Sequence, residues 1–326
     1  MNNRLSNFWQ NLPRPFFVLA PMADVTDAAF RQIIAKHSRH GEPGGGPDVF
    51  FTEFVSADGL CSPGRDILLR DFVYSDREHP IVAQIFSSHP EHILKAAELV
   101  RSLGFDGLDL NMGCPDKSIE KQGSGAAHIK DPQLAKELIL AAQQGMQGLP
   151  VSVKTRIGYN QETLDTWLPQ LLETKPAAVT IHARTRKELS LVPARWELIK
   201  RAVVIAQGSG TLIIGNGDVQ NLTDARKKVV DTGADGVMLG RAIFGTPWLF
   251  DQNRMAPPTI SEKLEIMIEH TYLFEKLLGD LKDFSIMKKH FKAYVNGFDG
   301  AKELRMQLME TKKASEVEDI IKRQVY

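Results

Sequence analysis

The chain has 326 residues, 43% of them hydrophobic and 25% charged, the balance of a soluble globular protein with a sizeable core rather than of a disordered or fibrous one. Its 40 Lys and Arg equal its 40 Asp and Glu, which excludes a uniformly polybasic chain but leaves room for a local basic patch. Only Cys61 and Cys114 carry thiols, no run approaches the ~18 apolar residues of a membrane span, and "MNNRLSNFWQNLPRP" lacks the apolar centre of a signal peptide; a cytoplasmic protein without a disulfide framework is expected.

From residue 16 to about residue 250, short β-rich runs alternate with helical patterns. The runs are "FFVLAPM" (16–22), "DVFFTEFV" (48–55), "IVAQIFS" (81–87), "GLDLNMG" (107–113), "VSVKTRIG" (151–158), "AVTIHART" (178–185), "LIIGNGD" (212–218) and "GVMLGRAI" (236–243). Several are continuously apolar, as parallel strands covered on both faces must be. Between them, "HPEHILKAAELVRSLG" places Ile93, Ala96, Ala97 and Val100 on one helical face and stops at Gly104. "DPQLAKELILAAQQG" opens with Asp131 as N-cap and Pro132 at the first helical position, and "NLTDARKKVVDTG" ends on a glycine stop. Such regular βα units predict a (β/α)8 TIM barrel; a doubly wound open sheet fits the spacing less well. The Gly-rich "GEPGGGP" (41–47) lacks the Lys-Ser/Thr of a phosphate loop and reads as a flexible connection after the first helix.

"DQNRMAPPT" (251–259), with paired prolines, marks a boundary between a barrel domain (1–250) and a small helical domain (251–326). Two amphipathic helices are predicted in "SEKLEIMIEHTYLFEKLLGD" and "DFSIMKKHFKAYVNGFDG", and a third starts near Ala301. Phe284, Met287, Phe291 and Val295 follow helical spacing and are assigned to the core of the bundle.

A barrel keeps its chemistry at the C-terminal ends of its strands. Those ends carry Ala20, Pro21 and Met22, then Glu53, Gln84, Asn111 with Cys114, Lys154 with Arg156, and His182 with Arg184. The last two add Asn216, Gly217, Asp218, Gly240 and Arg241. Polar groups recurring at one end of strand after strand have little use in a purely structural barrel. "GNGD" and "LGRA" let backbone N–H groups approach an anion, with Arg241 to pair it, at the usual phosphate position of this fold; the plainer reading is tight βα turns. The phosphate could belong to a substrate or to a mononucleotide cofactor. Lys154 could stabilise negative charge on a reduced flavin, Gln84 could meet the polar edge of such a ring, and His182 is either part of this site or an ordinary strand-end histidine.

The ordered motifs "APMADVTDAAFR", "FTEFVSADGL", "LNMGCPDK", "VKTRIG", "IHARTR", "IIGNGD" and "MLGRAIFGTPWLF" resemble the tRNA-dihydrouridine synthases, from about Val18 to Phe250 and more weakly through "MKKHFKAYVNGFDGAKELR". The resemblance implies an FMN-dependent barrel with a helical tRNA-binding domain that reduces the C5=C6 bond of uracil in tRNA, with NADPH or NADH as reductant. It implies an FMN shell of Ala20, Pro21, Met22, Gln84, Lys154, His182, Asn216, Gly217, Asp218, Gly240 and Arg241. Cys114 would protonate C5, Asn111 would hydrogen-bond the uracil edge, and Arg156 and Arg184 would face the substrate. A thiol with a reference pKa of ~8.5 is mostly protonated near neutral pH and can serve as that acid; a nucleophile or a buried structural thiol is the alternative. After "HARTR" this chain reads "KELSLVPARW", where many members place an aromatic residue and a glycine, and His128 stands where the family is commonly apolar.

For RNA, residues 284–313 hold seven Lys or Arg against three Asp or Glu, and Lys288 and Lys292 lie one helical turn apart, away from the apolar stripe. They suit phosphate contacts, or form an ordinary solvated face. A monomer without a metal is expected, and Cys61 has no assigned role. Two rival functions, a barrel reducing a free small molecule and a catalytically inactive RNA-binding protein, are disfavoured by the lysine-bearing tail and by the joint presence of Cys114, Lys154 and Arg241.

Overall fold

The computed structural model describes residues 7–325. Eight strands form its centre: β1 (Phe16–Leu19), β2 (Phe50–Ser56), β3 (Ile81–Phe86), β4 (Gly107–Met112), β5 (Val151–Arg156), β6 (Ala178–His182), β7 (Leu212–Asn216) and β8 (Gly236–Leu239). All seven neighbouring pairs are parallel, in the order β1-β8-β7-β6-β5-β4-β3-β2. The ends of this series meet through a single bridge, Val18 to Val49, with Leu19 N–H donating to Val49 O at 3.2 Å and Asp48 N–H donating to Phe17 O at 2.8 Å. The fold is a (β/α)8 barrel followed by helices.

Period-2 alternation sorts the side chains into two cores. Phe16, Val18, Phe51, Val82, Ala178, Leu212, Ile214 and Met238 pack inside the barrel, and Trp9 joins them from the short 3-10 turn Phe8–Asn11. Phe17, Leu19, Val151, Val153, Val179 and Ile181 face outward and pack beneath the surrounding helices. Inward positions change character along each strand: Val82 gives way to Gln84, Ala178 to Thr180 and His182, and Leu212 and Ile214 to Asn216. The apolar end is a packed floor and the polar end is a mouth.

The helices obey their local signals. Asp131 caps Pro132–Met146 by accepting from Leu134 N–H at 3.1 Å, and Leu222–Thr232 stops at Gly233, which adopts a φ of +75°. The eight predicted strands are all present, though most stop one to four residues earlier than the sequence pattern suggests, because those last residues leave the ladder to build the mouth. "GEPGGGP" is pinned rather than free. Gln252 N–H donates to Gly44 O at 2.8 Å, Asn253 Nδ2 donates to Pro43 O at 2.7 Å, and a Cβ on Gly45 would stand 1.8 Å from Arg39 O.

Four helices follow: Ile260–Leu278, Ile286–Tyr294, Ala301–Leu308 and Ala314–Val325. The last is not anticipated from the sequence; its apolar positions, Val317 and Ile321 among them, are spaced helically but diluted by charge. Met287, Phe291 and Val295 are fully buried as expected, while Phe284 packs at the core's edge ahead of its helix. The first of the four lies on the barrel helix Ala28–His37, joined by Lys36 and His37 to Glu269 at 2.6 and 3.0 Å. Between these helices, the rings of His270 and His290 lie 4.6 Å apart and pack on Phe30, whose centroid is 4.9 and 4.7 Å away. Among the described residues, no helix is long and apolar enough to cross a membrane.

Candidate active site

Parallel register brings the polar residues of the mouth together in layers. Gln84, Asp109 and Ser152 are neighbours on β3, β4 and β5; one step higher, Asn111 pairs with Lys154; above that, Arg156, His182 and Asn216 adjoin on β5, β6 and β7. The lowest layer is a closed network. Asp109 accepts from Ser152 Oγ at 2.6 Å and from Gln84 Nε2 at 2.7 Å, and Gln84 Oε1 accepts from Asn111 Nδ2 at 3.1 Å. Burial pushes the Asp109 carboxyl up to about 6, against the pull of its two hydrogen bonds and of Lys154. Burial, aided by Arg156, pushes Lys154 down to about 8, so near neutrality it remains mostly cationic. The Lys154 ammonium makes no hydrogen bond or close ion pair with any described residue.

The chain leaves β4 through a turn that Asn111 holds from within. Its Oδ1 accepts from the N–H of Gly113 at 3.2 Å and of Cys114 at 2.9 Å. Arg156 Nε donates to Gly113 O at 2.7 Å, and Ala126 N–H donates to Cys114 O at 2.9 Å. Cys114 is thus fixed from three directions on a half-buried turn. Burial raises its thiol above the ordinary value, outweighing the opposing pull of Lys154 and Arg156, so the sulfur keeps its proton.

A cavity of about 190 Å³ opens at the mouth between β1 and the ends of β5 to β8. Ala20, Pro21, Met22, Lys154, His182, Arg184, Asn216, Gly217, Asp218, Gly240 and Arg241 line it, together with Ser190, Val219 and Met238, which sequence reasoning does not single out. Gly217 has a φ of +124°, and a Cβ there would lie 2.8 Å from Ala194 Cβ and 3.1 Å from His182 Cδ2. Asp218 gathers the cations: it accepts from Arg241 at 2.6 Å, from Ala194 N–H at 2.9 Å and from Arg184. These bonds and charges hold its carboxyl below the usual range despite desolvation. Arg184 also faces His182 Nε2 at 3.1 Å; a guanidinium only donates, so this nitrogen is bare and the neutral ring carries its proton on Nδ1. Burial, reinforced by Arg156, Lys154, Arg184 and Arg241, keeps that imidazole from charging. The surface is cationic with glycine backbone at one end, suited to a dianion.

The other sequence candidates lie elsewhere. Gln84 and Asn111 are buried on β3 and β4 outside that lining, Asn111 level with Lys154, and Cys114 sits on the turn after β4. Arg156, outside the lining, and Arg184, part of it, are both buried and brace backbone: Arg156 donates to Thr185 O and Leu189 O at 3.2 and 3.3 Å, and Arg184 to Val192 O at 2.5 Å. They thereby shape the "KELSLVPARW" loop, which leaves Leu191 81% exposed. His128 is buried, with Nε2 on Ser87 O at 3.1 Å. Lys288 is half-buried and Lys292 exposed on the helix Ile286–Tyr294, away from the cavity lining.

Two groups escape sequence reasoning. Asp109 is a charged residue inside an apolar strand, a signal that was present. Lys282 is not legible, because its partners are remote: it reaches Glu53, midway along β2, at 2.6 Å and Asp71 at 3.1 Å, tying the segment between two of the last helices to the barrel.

The chain matches the family described as Dihydrouridine synthase (Dus) over residues 18–325. It is 40% identical over 320 residues to a probable tRNA-dihydrouridine synthase of Staphylococcus aureus, covering 97% of this chain and 94% of that one. Probable tRNA-dihydrouridine synthase 2 of Bacillus subtilis is also 40% identical, with 97% and 95% covered. Among solved structures, an old yellow enzyme homologue from Zymomonas mobilis superposes with a TM-score of 0.51 at 11% identity, covering 76% of this chain and 92% of that one. Histamine dehydrogenase from Rhizobium gives 0.55 at 12%, over 83% and 51%. These likenesses establish the barrel, and the match along nearly the whole chain establishes that the chain belongs to the dihydrouridine synthase family.

Proposed function

We propose that this chain reduces the C5=C6 bond of particular uridines in tRNA to 5,6-dihydrouridine, with FMN as cofactor and NADPH or NADH as reductant. The observation that carries the reading is the Lys154 ammonium, inward-facing and without a hydrogen-bond partner among the described residues, in a cavity that ends on Gly217, Gly240 and Arg241. A buried lysine so placed calls for an anionic ligand. The donor set fits a flavin mononucleotide: Arg241 and the glycine backbone for its phosphate, Lys154 for its electron-rich edge, and Ala20, Pro21 and Met22 as an apolar wall. His182 and Asn216 complete that shell, and Gln84 supports it from below through Asp109. When bound, the flavin supplies the hydride.

The chain's own part is positioning and proton delivery. Cys114 Sγ holds a proton and gives it to uracil C5, where charge develops as C6 is reduced. Asn111 and Arg156 keep that sulfur in place, and Arg184 sets the opposite wall. A uridine must leave its stack to enter the mouth. We assign residues 1–250 to catalysis and 251–326 to tRNA, with Lys288 and Lys292 offered to its phosphates, in the cytoplasm where tRNA is modified.

Mass spectrometry of tRNA from cells lacking the gene tests this: dihydrouridine is lost at defined positions, restored by the wild type and poorly by Cys114→Ala. The purified protein should be yellow, and Lys154→Met should emerge largely colourless. Unchanged tRNA in the deletion strain refutes the reading.

A further inference from the structure

On the rim away from the cavity, Asp58, His89 and His92 bring ligand atoms from two loops to within 4.8 Å of one another. Asp58 lies on the short helix Ala57–Leu60 just past β2; His89 and His92 flank the start of the helix Pro90–Ser102 just past β3. Asp58 Oδ1 receives His92 Nδ1 at 2.6 Å, His89 Nδ1 at 3.0 Å and Ser87 Oγ at 2.6 Å. A carboxylate oxygen has two in-plane lone pairs, so three donors crowd it. Replacing the two imidazole protons by one cation relieves that crowding and leaves Ser87 as the outer partner that orients the carboxylate.

We propose that Asp58, His89 and His92 form a binding site for a divalent transition cation of the zinc type, which clasps the segment after β2 to the segment after β3. Two imidazole nitrogens and one carboxylate oxygen are the donor set of open zinc sites, with water completing a tetrahedron. Bonds of about 2.0–2.2 Å place tetrahedral ligand atoms about 3.3 Å apart, so from their present 2.6 and 3.0 Å the imidazoles of His92 and His89 retreat from Asp58 Oδ1 by about 0.7 and about 0.3 Å, and all three ligand atoms start within 4.8 Å of one another. The site is reachable from solvent: the side chains of Asp58, His89 and His92 are 27%, 54% and 31% exposed. On binding, each neutral ring carries its single proton on Nε2, and any proton displaced from Nδ1 in excess of that passes to solvent. Cys61, also exposed nearby, donates its S–H toward His92 O at 3.9 Å and is left out of the ligand set.

The test uses the full-length, untagged protein stripped by a chelator and titrated with Co2+ under visible spectroscopy, with Zn2+ as competitor. The expected result is one equivalent bound with a tetrahedral Co2+ spectrum, displaced by Zn2+, and a Zn2+-dependent rise in Tm. His92→Gln and Asp58→Asn weaken binding by at least about tenfold, the loss that even outer partners of a metal produce, and abolish the Tm response. Cys61→Ser leaves both intact. Co2+ uptake equal in wild type and His92→Gln, uptake lost only in Cys61→Ser, or no uptake at all would each overturn the proposal; far-ultraviolet circular dichroism of the variants separates lost ligation from lost fold.

Discussion

The two histidines at the joint between barrel and helices tie stability to pH with a definite sign. His270 and His290 are fully buried, and among the described residues His270 Nε2 and both nitrogens of His290 find no hydrogen-bond partner. Burial pushes His270 down to about 3 and His290 well below its ordinary value, the latter helped by His270 and Lys289. Because the folded pKa is depressed, the unfolded chain takes up a proton below pH ~6.5 and the folded chain does not. Stability is therefore untouched above that point and falls with acid by about 1.4 kcal/mol per pH unit for each ring. At about pH 5, some 1.5 units below the unfolded value, His270 alone costs about 2 kcal/mol. His270→Leu should accordingly unfold in guanidinium with nearly wild-type stability at about pH 7.5, apart from a packing change, and be about 2 kcal/mol better relative to wild type at about pH 5. His290→Leu should act in the same direction, and gains further by removing two unpaired nitrogens. Taking the difference between variant and wild type cancels the other titrating groups. Parallel pH profiles for wild type and both variants would refute the argument.

Other expectations follow from the mouth and rim. Cys114→Ala should lower the rate of uridine reduction by about 10²–10⁴, the usual worth of a placed acid, in single-turnover assays on tRNA. Asn111→Ala should reproduce part of that loss with the thiol still present, because the turn N–H groups of Gly113 and Cys114 lose their acceptor. On the proposed function, Arg241→Ala should weaken retention of the flavin by about 10- to 100-fold, measured by fluorescence on dilution, as one charge-assisted bond to its phosphate would be removed. Lys282→Met should destabilise by about 3–5 kcal/mol in urea unfolding, because Glu53 is left buried without its counter-ion and with only the Asp24 N–H to hold it, and Glu53→Gln in the same chain should recover part of it.

Strand ends were the places where sequence reasoning worked best and also where it overran. β1 stops at Leu19 and β8 at Leu239, yet "APM" and "GRAI" continue the apolar or β-prone pattern. Composition does not mark the residue at which a backbone quits its ladder for a mouth. Most residues chosen for their chemistry at these ends line one cavity, since parallel register carries equivalent positions to the same height. Asn111 and Arg156 show the opposite case. Their types suggest ligands, but nearby unpaired N–H and C=O groups of the turns claim them first. Lys282 was out of reach altogether, because 229 residues separate it from Glu53.

The bridge between Val18 and Val49 has a consequence for motion. Every other pair of staves is laced along three or more registers, whereas β1 and the residues leading into β2 share one stitch, two flanking amide bonds and the bond from Phe17 N–H to the Asp48 carboxylate at 2.6 Å. If the cylinder breathes, it splits there first. Amide protons of Leu19 and Asp48 should exchange ahead of those in β4 and β5.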